Sequence, residues 1–249
     1  MGFGFQANYF DKAMIENRYS FTAPCGIHTK SEAEMNPYRF TQALAKNASQ
    51  LGVDIYENTE ILSHRFTKEG LFFETDRGEI KANQVVYATV YRTQEFAKIK
   101  GALIERTFTI ATEPIDTFPG WHNRSLIWET DRPYYYLRTT ADNRILIGGM
   151  DSNVNKKDEL KTKGPKLLNK LHDMFPGIRT SIAYEWSAVF GSTKDGLPYI
   201  GKHPKYKGVY FMLVYGRNST VYSMLGAELL KDLILYGYHP PMNITRLDR

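Results

Sequence analysis

The chain has 249 residues, 42% hydrophobic and 24% charged, enough to bury a real core in one large domain or two small ones. Its formal net charge of +5 is spread along the sequence without a basic block, which reads as solubility rather than as a nucleic-acid footprint. The single Cys25 excludes an intrachain disulfide and a cysteine-based metal site, the six histidines show no HxH or HExxH spacing, and no apolar stretch reaches the roughly 18–20 residues of a membrane span.

The opening MGFGFQANYF has no charged region followed by an apolar one, so no secretory leader is expected and the cytoplasm is the default compartment. Residues 2–7, GFGFQA, formally fit GxGxxA, but such a turn must follow a buried strand, so the match is treated as accidental. The first clear element starts at Asn36-Pro37, an N-cap residue followed by Pro at the first helical position. Phe40, Ala43, Leu44, Ala48 and Leu51 then recur at helical spacing until Gly52, and VDIYENTEI (53–61) reads as the strand that follows.

Short strands come next: LSHRFT turns at Lys68-Glu69-Gly70 into LFFETD, and Arg77-Gly78 leads into EIKA. VVYAT (85–89) has the composition of a buried strand. Four more strands are expected over 103–115, 125–130, 134–140 and 144–149, with Asp142-Asn143 as the turn of the last hairpin. Gly164-Pro165 is read as opening a helix through Leu167, Leu168, Leu171 and Phe175, and Trp128 and Trp186 are read as core. A strand near 182–190 leads into FGSTKDGLPYIG (190–201), then GVYFMLVYG forms a strand and a helix runs from about 219 to 236. With α/β units at both ends and an antiparallel meander between them, the fold class is α+β.

The chemistry is sparse in familiar signatures, since there is no GxSxG and no Walker loop. In PYYYLRTT, alternation places Tyr134, Tyr136 and Arg138 on one sheet face, with Tyr135 and Leu137 on the other. That face is either a pocket floor with aromatic walls and a cationic hook, or an ordinary amphipathic strand with an exposed Arg. After Gly216 the apolar strand gives way to a helix start, which either presents backbone N–H groups to a ligand or is simply capped by Asn218 or Ser219.

WETDRPYYYLRTTADNRILIGGMD (128–151), FGSTKDGLPYIG and GVYFMLVYGRNSTVYSMLGAELLKDLI together resemble the C-terminal half of the D-amino-acid oxidase family of FAD-dependent oxidoreductases, which includes glycine and sarcosine oxidases. NPYRFTQALAKNASQLGVDIYENTEI (36–61) is similar to the helix and strand by which its members re-enter the FAD domain, and RGEIKANQVVYAT (77–89) resembles a strand pair of that domain. The resemblance implies a mixed substrate-domain sheet plus an incomplete FAD-binding α/β domain. It implies a partial FAD-domain segment at 36–100, a substrate-domain sheet with its helix at 101–184, and a return to the FAD domain at 185–249, with 1–35 at the substrate-domain edge. The family's N-terminal strand and GxGxxG turn do not occur in this sequence. The expectation is therefore a fragment, a truncated form or one part of a split enzyme.

The resemblance further implies FAD as cofactor and a small amine or amino acid as substrate, oxidised by hydride transfer to the flavin. Gly191, Thr193, Asp195 and Gly196 would lie beside the isoalloxazine ring, and Gly216, Arg217, Asn218, Ser219 and Thr220 would face its pyrimidine end. Relatives carry an Arg-Pro pair before the second loop, where the Arg grips the substrate carboxylate; here Val189-Phe190 stands there, and Arg138 is the obvious replacement. No single catalytic residue is assigned. A second chain carrying the dinucleotide-binding unit, or self-association, would cover the apolar face such a fragment leaves bare. The alternative is a non-catalytic remnant or interaction module that has lost FAD binding.

Overall fold

The computed structural model describes every residue except 1–3, 5, 31, 90–101, 132, 154–158, 214, 215, 217 and 249. It divides into two compact units, one of residues 1–33 with 104–190 and the other of residues 34–103 with 191–249.

In the first unit, β1 (Ala7–Asp11) and β2 (Cys25–Thr29) form an antiparallel hairpin around α1 (Lys12–Glu16). Asp11 caps α1 by accepting from the Met14 N–H at 2.8 Å. The main sheet uses β7 (Ala102–Thr112), β8 (Ile127–Trp128), β9 (Tyr135–Thr139), β10 (Ile145–Asn153) and β11 (Ile182–Thr193), in the spatial order β11-β7-β10-β9-β8. Register sets Ile127 beside Leu137, Leu137 beside Ile147 and Ile147 beside Ile110, a continuous apolar row across four strands. Leu167, Leu171 and Met174 of α3 (Leu160–Met174) pack on that row, with Phe175 and Trp121 stacked at 4.4 Å between ring centroids. Each such side chain contributes about 1.5–3 kcal/mol by leaving water.

Two expectations are corrected here. The buried indole is Trp121, whereas Trp128 is 66% exposed and Trp186 is exposed as well. Trp128 follows core-facing Ile127, so alternation turns it outward. The helix also opens at Leu160, before Gly164-Pro165, and takes Pro165 into its interior. Pro there removes one early intrahelical bond, while the Lys163–Glu159 pair at 2.7 Å spans the turn before it.

In the second unit, β3 (Ile61–Thr67), β4 (Gly70–Thr75) and β5 (Gly78–Ala82) form the expected meander. A second sheet has the order β12-β13-β6, where β6 (Val85–Tyr87) runs parallel to β13 (Val209–Leu213) and β12 (Tyr199–Lys202) antiparallel to it. Both faces of β13 are covered. Val209, Phe211 and Leu213 pack with Leu71, Phe73 and Tyr87, and Tyr210 packs with Leu229, Leu230 and Leu233 of α4 (Ser219–Leu235). The short α5 (Met242–Thr245) closes on β12, with Thr245 Oγ1 donating to the Ile200 carbonyl at 2.9 Å. The fold class is α+β, with one antiparallel and one mixed sheet carrying the two cores.

α2 (Pro37–Gln50) forms as its signals predict, with Asn36 accepting from the Arg39 N–H at 3.1 Å and Pro37 in its first turn. Yet none of its residues is buried. The expected strand over 53–61 does not form; the ladder begins at Ile61, and Val53, Ile55 and Tyr56 are exposed. Their β-branched and aromatic character favours extension, but a ladder needs a neighbouring strand, and among the described residues none pairs with 53–60.

Candidate functional site

On β9 the alternation holds. Leu137 is fully buried against α3, and Lys170 of α3 stands 4.8 Å from the Tyr135 ring centroid, so Tyr136 and half-buried Arg138 take the opposite face. Tyr134 precedes the strand and is 4% exposed, its ring centroid 6.1 Å from that of Tyr136. The structure therefore brings Tyr134 and Tyr136 together as neighbouring rings and keeps Arg138 one pleat further along.

What holds Tyr136 was missed by sequence reasoning. Gly148 pairs with Tyr136 on one side and with Thr109 on the other. The Tyr136 ring lies over Gly148, where any Cβ would collide with Cζ and the hydroxyl, and its Oη meets Thr109 Oγ1 at 2.9 Å. A glycine inside a strand is the sequence signal for such a close approach.

The next residues form a β-bulge. Gly149 pairs with Phe108 and Ser152 with Arg106, so Met150 and Asp151 together stand opposite Thr107. Gly149 has φ +135 and Met150 φ +54, and a Cβ on Gly149 would strike the Tyr134 carbonyl oxygen. Lys163 anchors the bulge from α3: its Nζ donates to the Met150 carbonyl at 2.6 Å, pairs with Glu159 and lies 4.1 Å from the Phe108 ring centroid. The i,i+4 spacing of Glu159 and Lys163 was the available signal for this clamp. Thr107 Oγ1, on the strand facing the bulge, is buried without a hydrogen-bond partner among the described residues.

In the second unit the two expected loops are joined by a backbone bond, with the Gly216 N–H donating to the Gly191 carbonyl at 2.5 Å. Gly191 and Thr193 lie on the end of β11 rather than in a loop. Thr193 Oγ1 donates to the Leu197 carbonyl at 3.0 Å, Asp195 accepts from the Leu197 N–H at 3.1 Å, and Gly196 has φ +74. These polar side chains are spent on closing a turn.

Gly216 has φ +105, with open space where a Cβ would stand. Asn218 occupies the N-cap of α4 without a side-chain cap bond, and Ser219 Oγ donates back to the Gly216 carbonyl at 3.0 Å. Capping by either side chain is thus not what this loop does. Among the described residues no side chain caps the first turn of this 17-residue helix, which starts beside Gly216 with exposed Ser219 and half-buried Thr220 at the opening. Such an end carries roughly half a unit of positive charge and fits the electron-rich edge of a planar ring. Arg217 lies outside the described residues. Among the described residues no group of acidic, cysteine or histidine side chains could hold a metal ion, and no helix is long and apolar enough to cross a membrane.

The resemblance carried by these segments makes the flavin-dependent oxidoreductases the class to compare. The chain belongs to the FAD dependent oxidoreductase family, whose model matches residues 3–233. It is similar to the glycine oxidase of Bacillus subtilis (strain 168), 27% identical over 223 residues that cover 83% of this chain and 56% of that protein. The glycine oxidase of Geobacillus kaustophilus (strain HTA426) is 25% identical over 240 residues, 88% of this chain and 59% of the relative. The chain thus spans little more than half the length of these curated relatives. Among solved structures, L-proline dehydrogenase from P. horikoshii superposes with a TM-score of 0.84 at 18% identity, over 98% of this chain and 69% of that one. Glycine oxidase from Geobacillus kaustophilus gives 0.75 at 21%, over 93% and 63%. Both structural likenesses concern the fold.

Proposed function

We propose that this chain supplies the substrate sheet and the flavin-bracing loops of an FAD-dependent enzyme that oxidises an amine or an amino acid. The observation that carries the reading is the start of α4, uncapped by the described side chains and tied by Gly216 to Gly191 within the second unit, in a chain belonging to this family. FAD, when bound, supplies the acceptor for the hydride leaving the substrate carbon. The chain's own residues do the rest. The α4 N-terminus favours negative charge on the pyrimidine edge of the ring, with Gly216 leaving room for close approach. Tyr134 and Tyr136 wall the substrate face, and Arg138 on that face carries a guanidinium of the kind that pairs with a carboxylate. We place the protein in the cytoplasm.

We further propose that the chain works with a partner that carries the dinucleotide-binding unit. No residue of α2 is buried, Leu44 of its apolar stripe is exposed, and so are Leu51, Val53, Ile55 and Tyr56. Among the described residues β6 is the edge of its sheet, and Val221, Met224 and Leu225 of α4 are exposed. Exposed apolar helix surface is normally covered, and parallel strands are normally flanked by more sheet. The second reading, a non-catalytic module that has lost flavin binding, draws on the same bare surface.

Fluorescence titration with FAD decides between them, on this chain alone and after mixing with a dinucleotide-binding segment taken from a glycine oxidase relative. Saturable flavin quenching in the mixture supports the enzyme reading. A mixture that forms a complex by sedimentation yet stays colourless and indifferent to FAD supports the module.

A further inference from the structure

We propose that Thr109 is a positioning residue that lays the Tyr136 ring flat across the sheet, so that this face offers a ligand the π face of Tyr136 and not its hydroxyl. The proposal rests on the reading of the β9 face as the substrate surface. A tyrosine standing up from a strand projects its hydroxyl away from the sheet. Here the ring instead crosses β10 at Gly148, and its hydroxyl ends on Thr109 Oγ1 of β7 at 2.9 Å.

Three residues on three strands are needed for this. Gly148 has no Cβ to block the ring, and Tyr136 spans it. Thr109, 6% exposed, holds the far end. Tyr136 remains half-buried, so part of it stays open to solvent, and register places exposed Trp128 beside it in the same row. Trp128, Tyr136, Gly148 and Thr109 therefore form one line across the sheet, the first two presenting aromatic surface.

Ring faces carry negative potential and attract cationic or apolar groups, while a free phenol would donate to anions. The face therefore discriminates for an ammonium or alkyl-ammonium group over the Tyr136 ring. A carboxylate on the same ligand must find another cation, and Arg138 shares the face. Without Thr109 the hydroxyl is released, and that preference weakens.

The test uses this chain, with tyrosines carbon-13 labelled at Cζ and Tyr136 assigned from Tyr136→Phe. Tetramethylammonium and acetate are titrated separately while the Tyr136 signal is followed, in wild type and in Thr109→Val, which keeps the β-branched shape and loses only the hydroxyl. The expected result is a saturable response to tetramethylammonium in wild type. In Thr109→Val the Tyr136 signal shifts, and the preference for tetramethylammonium over acetate falls at least threefold. Gly148→Ala, which displaces the ring directly, should give the same loss; intrinsic fluorescence confirms that each variant is folded. No saturable response in wild type, or an unchanged preference in a folded Thr109→Val, overturns the proposal. No flavin enters the assay, so it can fail while the FAD titration succeeds, and the reverse.

Discussion

Gly149→Ala gives the sharpest test of the bulge that shapes the Tyr134 segment. Gly149 has φ +135, a region L residues essentially avoid, which costs about 1–3 kcal/mol. The new methyl also meets the Tyr134 carbonyl oxygen, a backbone atom of the β9–β10 pairing that no rotamer change can move. Relief requires β9 and β10 to part there, giving up the 3.4 Å bond from the Met150 N–H to Tyr134, about 1 kcal/mol more. The sum is about 2–4 kcal/mol. All three tryptophans, Trp121, Trp128 and Trp186, belong to the first unit, so tryptophan fluorescence follows the unfolding of that unit. With a urea dependence of about 1–3 kcal/mol per molar, the midpoint should fall by roughly 1–2 M. Gly196→Ala, in the second unit with φ +74 and open space around it, should leave that midpoint in place. A Gly149→Ala midpoint lowered by less than about 0.3 M would refute the reasoning.

Lys163→Met strips Glu159 and the Met150 carbonyl of their shared partner and should destabilise the same unit by about 2–4 kcal/mol, read as a lower urea midpoint, with Glu159→Gln/Lys163→Met costing less than the sum of the singles. Burial, and then the Lys205 charge, hold the His203 pKa below its ordinary value, and its Nδ1 accepts from the Lys205 and Tyr206 N–H groups at 3.0 and 3.1 Å. A depressed folded pKa means that this stability is present above the ordinary histidine value of about 6.5 and is lost as pH falls through the folded value. Normalised amide exchange in the turn between β12 and β13 should therefore quicken below that pH in wild type, and the pH effect should vanish in His203→Asn. Sedimentation velocity should show concentration-dependent association of the chain, and Leu44→Asp with Leu51→Asp should suppress it; a clean monomer for wild type at high concentration counts against the bare surface as a docking face.

Local signals carried much of the fold. The Asp142-Asn143 turn forms with Asn143 at φ +61, the β9 alternation places Tyr136 and Arg138 opposite Leu137, and Asn36-Pro37 opens α2. Partners across strands were not legible. Alternation says which face a side chain takes, but not which strand lies beside it, and Thr109 is 27 residues from Tyr136. The same limit hid the bulge, which exists only as a mismatch of register between β10 and β7. It also misassigned the tryptophans, since Trp128 and Trp121 are equally apolar and only the position of α3 decides which one is covered.

The misread strand at 53–61 is informative for a different reason. VDIYENTEI has the composition of a strand, and its first four residues lie in the open with three large apolar side chains exposed. Propensity there reports a surface suited to a sheet, and the sheet it suits is not among the described strands. α2 repeats the pattern just before it, an amphipathic helix with sound caps and no buried residue on its apolar stripe. Local agreement with missing tertiary cover, in two adjacent elements, is what a segment looks like when its sequence was fitted to a larger body. The relatives extend well beyond the part this chain matches. On that reasoning, adding a strand along β6 and a helix across α2 should order residues 53–56, and amide exchange protection appearing there on mixing with the dinucleotide-binding segment is the observable. If those amides stay unprotected in a complex that otherwise forms, residues 53–56 are a loop in their own right and the bare surface belongs to another partner.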